Sequence, residues 1–264
     1  MRAMKVVARA LLLAAFVAAC SSGKKAEQTW DPAALPTGPV GESIAYGRAL
    51  ILATHSLMKG NVRSRMACAA CHIDGGLRDR GGTFVGVYSH FPQWNKRAHR
   101  VITLQDRLAE CFLYSMNGTP PSYSSKEMTA LVAYIAWLSR GVPAFSKAPE
   151  GSGFVEPLPS QAPDPVRGAK IYVEKCATCH GADGNGAGQF FPPLWGPQSF
   201  NNLAGMAHLD RMTGFVRYNM PQDARGTLSQ RDAYDVSAWV LAHKRPVFLK
   251  AVLIRAIAMP AAYF

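Results

Sequence analysis

Two short stretches carry residue types that can do chemistry together. Cys68-Ala69-Ala70-Cys71-His72 and Cys176-Ala177-Thr178-Cys179-His180 both read C-x-x-C-H. Two thiols one helical turn apart can add to the two vinyl groups of one haem, and the adjacent histidine then reaches the iron. The chain has six cysteines and seven histidines in 264 residues. That composition gives roughly 0.004 chance matches, so two occurrences are not accidents. A redox C-x-x-C would need neither histidine, and no βαβ pattern surrounds either motif. The spacing predicts two covalent c-type haems held by Cys68, Cys71, Cys176 and Cys179, with His72 and His180 as proximal iron ligands.

The second haem has a ready sixth ligand in Met220. It lies in Tyr218-Asn219-Met220-Pro221, where the proline ends a helical run and holds the thioether on a loop. A His/Met pair raises the reduction potential and suits an electron carrier. Met206, His208 and Met212 are the competitors, and simple core packing is the plainer use of Met220. Phe191-Pro192-Pro193-Leu194-Trp195 is expected to form an apolar wall on the proximal side.

The first haem has two candidates. Cys111 follows His72 at nearly the distance at which Met220 follows His180, while Tyr114-Ser115-Met116 repeats the Tyr-x-Met pattern. Both lie on a helical stretch opened by Thr103-Leu104-Gln105-Asp106, a capping-box pattern. Their spacing sends them to different sides of a helix, so only one can face the iron. A Cys111 thiolate would push electron density onto iron and favour a low potential; an inert Cys111 would only pack. His90 and His99 are weaker rivals.

Charge narrows the chemistry. The formal net charge is +12, which calls for an anionic substrate or partner. Arg78, Arg80, Lys96, Arg97, Arg100 and Arg107 crowd residues 77–107, against Asp79 and Asp106. Arg107 is one turn before Cys111 and shares its helix face. Cations favour the reactive thiolate and also bind small dianions. A solvated basic surface is the ordinary meaning of such a run. Nothing in the pattern calls for a nucleic-acid partner.

These residues need elements to hold them. A hydrophobic share of 48% excludes a disordered chain, and the spread of cysteines excludes a disulfide-dense miniprotein. The one long apolar run is N-terminal, which excludes a polytopic membrane protein. Arg2, Lys5 and Arg9 precede the apolar run Leu11 to Ala19, so residues 1–19 read as a signal peptide. Val17-Ala18-Ala19-Cys20 resembles a bacterial lipobox, which makes Cys20 the lipidated residue. The expected location is the periplasmic side of a bacterial membrane, lipid-anchored; a soluble periplasmic protein with a plain signal is the alternative. Residues 20–41 then form a tether, 42–142 a first haem domain, and 143–165 a proline-rich linker. Residues 166–246 form a second haem domain, and 247–264 an apolar tail of unassigned role. Each domain opens with a helical pattern (Ser43 to Leu50; Val166 to Tyr172). Each closes with a capped one, from Ser124-x-x-Glu127 to Leu138 and from Ser229-x-x-Asp232 to Leu241. Strand alternation is scarce. The expected fold class is all-α, with two domains resembling class I cytochrome c.

Longer motifs resemble a family. Cys111-Phe112-Leu113-Tyr114-Ser115-Met116-Asn117-Gly118, Phe91-Pro92-Gln93-Trp94-Asn95-Lys96-Arg97, Pro192 to Phe200 and Gly214 to Pro221 are similar to the dihaem thiosulfate dehydrogenases. The resemblance implies oxidation of two thiosulfates to tetrathionate, with electrons passed to a periplasmic or membrane acceptor such as another cytochrome. It implies His72 and Cys111 as ligands of the catalytic haem, and His180 and Met220 as ligands of the exit haem. It also implies that Cys111 bonds the outer sulfur of one thiosulfate before a second displaces it. Arg97, Arg100 and Arg107 are the cations expected to neutralise the anions. Some relatives carry a lysine before the methionine as an alternative ligand; here that place is Asn219, which offers no amine. A dihaem electron carrier without a substrate site is one alternative function, and a tetrathionate reductase is another.

Overall fold

In each domain a first helix crosses a last helix at a glycine. The computed structural model describes residues 29–146, 151–187 and 191–248. The expected signal peptide (residues 1–19), the expected lipidation site Cys20, and residues 249–264 of the tail lie outside the described residues. The first domain runs through α1 (Pro39–Leu52), a hairpin of β1 (Gln93–Asn95) and β2 (Arg100–Ile102), α2 (Leu104–Glu110) and α3 (Lys126–Trp137). The second runs through α4 (Pro165–Lys175), α5 (Leu209–Asn219) and α6 (Gln230–Ala242). Helix α1 packs on α3, and α4 on α6. A Cβ on Gly47 would lie 2.0 Å from Ala130 O, and one on Gly168 would lie 2.3 Å from Asp235 O. Only glycine permits either approach, so the two domains solve the same packing problem with the same residue. Gly47→Ala and Gly168→Ala are each expected to lower stability by about 1–3 kcal/mol through overpacking. Calorimetry of the two variants checks this, and an unchanged transition temperature in both would contradict the crossing.

Local sequence sets the helix starts. Pro39 and Pro165 occupy the first helical position, where a missing N–H costs nothing. Asp164 caps α4 by accepting from the N–H groups of Val166 and Arg167. Ser229 caps α6 by accepting from Asp232 N–H at 3.0 Å. The cap of α3 is Ser125 rather than the expected Ser124: Ser125 accepts from Met128 N–H at 3.1 Å, while Ser124 meets the hydroxyl of Ser122. The two adjacent serines offer the same hydroxyl to the backbone, so spacing alone did not separate them.

Tyrosines from these helices pin the loops that follow the haem motifs. Tyr134 donates to Gly75 O at 2.8 Å, and Tyr172 donates to Gly181 O at 2.6 Å. Around them Leu50, Ile51, Met128, Leu131 and Ile135 are fully buried in the first core. One feature adds to the all-α expectation: β1 and β2 form a two-stranded antiparallel hairpin that pairs Trp94 with Val101.

The connecting segments are packed. Trp30, within the expected tether, lies edge-on to Tyr134 at 5.7 Å under the guanidinium of Arg48 and so packs on the first domain. In the linker, Glu156 is 8% exposed and accepts from Arg217 at 2.7 Å and from the Tyr218 hydroxyl. Asp235, fully buried, pairs with Arg167 at 2.6 Å and accepts from Asp164 N–H at 3.0 Å, fastening the linker's end to α6. Proline content marked this segment as non-helical; its partners lie far away in sequence. Among the described residues no helix is long and apolar enough to cross a membrane.

Candidate functional site

The first motif is a tight turn over Cys68–Ala70, closed by bonds from Cys71 N–H and His72 N–H to Cys68 O at 3.1 and 2.9 Å. Thr54, fully buried just beyond the end of α1, holds it: its hydroxyl donates to Leu50 O at 2.7 Å and accepts from Cys68 N–H at 3.0 Å. Burial pushes the thiols of Cys68 and Cys71 up to about 12. Sulfurs in such a place favour an uncharged state, which a thioether to haem provides. His72 Nδ1 lies 2.5 Å from Gly82 O. A carbonyl can only accept, so Nδ1 carries the proton and Nε2 keeps a lone pair for a metal. Burial lowers His72 to about 4, so the ring is neutral at physiological pH. Phe84 stacks on it at 4.1 Å.

The second motif keeps the backbone closure and the histidine's bond to a carbonyl, but Cys179 is exposed where Cys71 is half-buried. His180 N–H bonds Cys176 O at 2.9 Å within the turn Ala177–His180. His180 Nδ1 donates to Pro192 O at 3.0 Å, and burial lowers its pKa as well. Burial pushes Cys176 up to about 11. The expected wall is in contact with this histidine: Pro192 supplies the carbonyl and Phe191 lies edge-on to the ring at 6.5 Å. Both histidines therefore present the same nitrogen, in the same protonation state, on the side where iron would bind.

Helix α2 delivers Cys111. Its capping box is complete, with Thr103 accepting from Asp106 N–H at 3.2 Å and Asp106 accepting from Thr103 N–H at 2.8 Å. After Glu110 the helix widens into a π-turn over Cys111–Ser115, closed by Met116 N–H to Cys111 O at 3.0 Å. Such turns recur at functional sites because they push a side chain out of the regular row. The two candidate ligands part here. Met116 is 3% exposed in the core, while Cys111 is half-buried. Proximity to Cys111 raises Arg107 above the usual guanidinium value; burial opposes this and Glu110, 3.1 Å away, adds to it. Proximity to Cys111 adds to the rise of Cys68 and Cys71 that burial causes, and Arg107 contributes to lowering His72. Cys68, Cys71, His72, Arg107 and Cys111 thus share one electrostatic neighbourhood.

Residues 58–144 match the family described as SoxA/TsdA, cytochrome c domain, and residues 163–240 match cytochrome C oxidase, cbb3-type, subunit III. A thiosulfate dehydrogenase of Allochromatium vinosum is 39% identical over 253 residues, covering 92% of this chain and 93% of its own. The chain belongs to the thiosulfate dehydrogenase family. The thiosulfate dehydrogenase of Stutzerimonas stutzeri is 38% identical over 80% of this chain and 70% of its own. The solved thiosulfate dehydrogenase TsdBA of Marichromatium purpuratum superposes with a TM-score of 0.79 at 34% identity, over 88% of this chain. That chain is longer: the alignment covers 53% of it. As a member of the thiosulfate dehydrogenase family, this protein consists of two cytochrome c domains and carries two covalently bound haem c groups.

In this family member Met220 caps α5, half-buried, with its N–H on Val216 O at 2.9 Å. Its rivals Met206 and Met212 are 9% and 4% exposed within the core. Asn219 turns toward the first domain and donates to Arg80 O at 2.8 Å. The basic run divides among different tasks. Arg78 pairs with Asp74 at 2.6 Å, and Arg80 covers the Tyr218 ring at 4.5 Å. Arg97 donates to Leu203 O at 3.0 Å, and Arg100 pairs with Asp106 at 3.1 Å. Burial pushes the Asp106 carboxyl up, but bonds from Arg100, Tyr123 and Thr103 outweigh it and hold it below the usual range. Lys96 and His99 are exposed on the hairpin. Of the three arginines expected to meet substrate, Arg107 is the one gathered with Cys111, and Arg97 and Arg100 are occupied nearby. Sequence reasoning missed Thr54, Phe84 and Glu110. Glu110 accepts from Asn95 of the hairpin at 3.2 Å and from Arg107, and so fixes the arginine's direction. Its position beside Cys111 was the one signal available.

Proposed function

We propose that this chain oxidises two thiosulfates to tetrathionate, with Cys111 as the sulfur carrier and as a residue that would hold the first haem. The observation that carries the reading is the half-buried Cys111 on a π-turn, in one electrostatic neighbourhood with Arg107, His72 and both thioether cysteines. His72 and Cys111 would hold the first iron; His180 and Met220 would hold the second. When bound, the haems supply one-electron acceptors for the two electrons that the reaction releases.

The chain's own residues supply the sulfur chemistry and the charge. Cys111 sulfur forms a bond to the outer sulfur of one thiosulfate, giving a Cys111–S–S–SO3 adduct and releasing two electrons. The outer sulfur of a second thiosulfate attacks the substrate sulfur of that adduct. The S–S bond to Cys111 breaks, tetrathionate leaves, and the cysteine recovers its electron pair. Two dianions must meet, so fixed positive charge is needed where they do. Arg107 is placed for direct contact, its side chain 43% exposed and steered by Glu110. Arg97 and Arg100 add potential from their anchored positions, and the overall excess of cations draws anions in. Purified protein given thiosulfate and an artificial one-electron acceptor is expected to yield one tetrathionate per two electrons. Failure of thiosulfate to reduce either haem would leave a simple electron carrier.

The periplasmic location and the lipid on Cys20 rest on Val17-Ala18-Ala19-Cys20. The electron acceptor belongs to the same compartment, a cytochrome or similar carrier. Globomycin, or Cys20→Ser, is expected to leave unprocessed or released protein. Unchanged processing and unchanged membrane fractionation would mean a plain signal peptide.

A further inference from the structure

We infer that Asn201, a residue of the second domain, positions the π-turn that presents Cys111 in the first; this rests on the assignment of Cys111 as carrier and ligand. A helix end leaves carbonyls without partners, and buried ones must find a donor elsewhere. The π-turn supplies two of its own closures: Met116 N–H takes Cys111 O at 3.0 Å, and Gly118 N–H takes Phe112 O at 2.8 Å. The next two carbonyls go to Asn201. Its Nδ2 donates to Leu113 O at 2.9 Å, and its backbone N–H donates to Tyr114 O at 3.0 Å.

Asn201 is fully buried, so water cannot replace it there. The direction of its amide is settled by its other end. Oδ1 accepts from Leu203 N–H at 3.0 Å, which aims the nitrogen at the π-turn. The surroundings reinforce the clamp. Arg97 donates to Leu203 O at 3.0 Å and covers the Tyr114 ring at 4.6 Å, and Phe248 meets that ring edge-on at 5.0 Å. The domain that receives electrons therefore also holds the shape of the segment that would bind sulfur. Asn201 touches neither substrate nor haem ligand; it is a positioning residue.

The test uses the intact dihaem protein with Asn201→Ser and Asn201→Asp. Each keeps an oxygen for Leu203 N–H, and each removes the amide nitrogen that donates to Leu113 O. If Asn201 only shapes its own loop, both variants will match wild type in the paramagnetic resonance signature of the ferric first haem. That result would overturn the inference. The expected result is a shifted or divided first-haem signature with the second haem unchanged, and turnover lower by about 10- to 100-fold. Cys111→Ala serves as the reference. A signature altered in Cys111→Ala but not in the Asn201 variants removes the clamp alone, whereas one unaltered in Cys111→Ala removes the underlying ligand assignment. Should neither Asn201 variant assemble both haems, amide exchange in wild type decides. Asn201, Met116 and Gly118 are expected to exchange as one protected unit, and a much faster Asn201 amide would overturn the clamp.

Discussion

Cys111→Ala is expected to retain both covalent haems and to lose turnover by at least about 10³-fold, the scale seen when a covalent nucleophile is removed. The C-x-x-C-H spacing assigns haem attachment to Cys68, Cys71, Cys176 and Cys179 and not to Cys111, so retention of both haems would separate loss of chemistry from loss of cofactor. The low-potential, thiolate-type signature of the first haem should vanish with the sulfur. Cys111→Met separates the two roles of that sulfur. A thioether can bind iron but cannot form the disulfide-like bond to thiosulfate. The expected protein has a first haem of higher potential and almost no activity. Near-wild-type turnover in Cys111→Ala with unchanged spectra would place ligation elsewhere and return the protein to the class of electron carriers. Met116 would then have to leave a core in which it is 3% exposed.

Met220→Ala is expected to lower the potential of the second haem by on the order of 0.1 V, since axial ligands set haem potentials over roughly 0.8 V. Any thioether-to-iron charge-transfer band at the red end of the ferric spectrum should disappear with it. Asn219 would not step in, because its amide nitrogen is engaged by Arg80 O and Phe215 O. Persistence of the band and the potential would transfer the role to Met206 or Met212, both now packed in the core. Electrons would leave the first haem less readily downhill, so steady-state turnover should fall while formation of a thiosulfate adduct on Cys111 survives. That contrast distinguishes an exit defect from a catalytic one.

What was legible in the sequence was local. C-x-x-C-H fixes two thiols and an imidazole within one turn, and short-range backbone bonds then realise it, as at Cys68 and His72. The Thr103 to Asp106 capping box and the Ser229 cap are likewise closed within a few residues. Gly47 and Gly168 sit in matching helical patterns, although their reason lies in the facing helices. What stayed hidden depends on residues far apart in the chain. Spacing identified Arg97, Arg100 and Arg107 as a cationic group but could not show that Leu203 O and Asp106 occupy the first two. The π-turn at Cys111 has no composition of its own, and its support comes from Asn201 across the domain boundary. The tether and linker looked loose because proline and polar residues mark them as non-helical. Trp30 and Glu156 bind them to the domains through contacts that no window of sequence contains.

The most direct test of Cys111 as the sulfur carrier is the mass of the Cys111 peptide after limited exposure of oxidised protein to thiosulfate. A peptide heavier by one thiosulfonate group is expected, formed as two electrons enter the protein. A second portion of thiosulfate should strip that group and release tetrathionate. An unmodified Cys111 peptide from protein that is turning over thiosulfate at full rate would contradict that role.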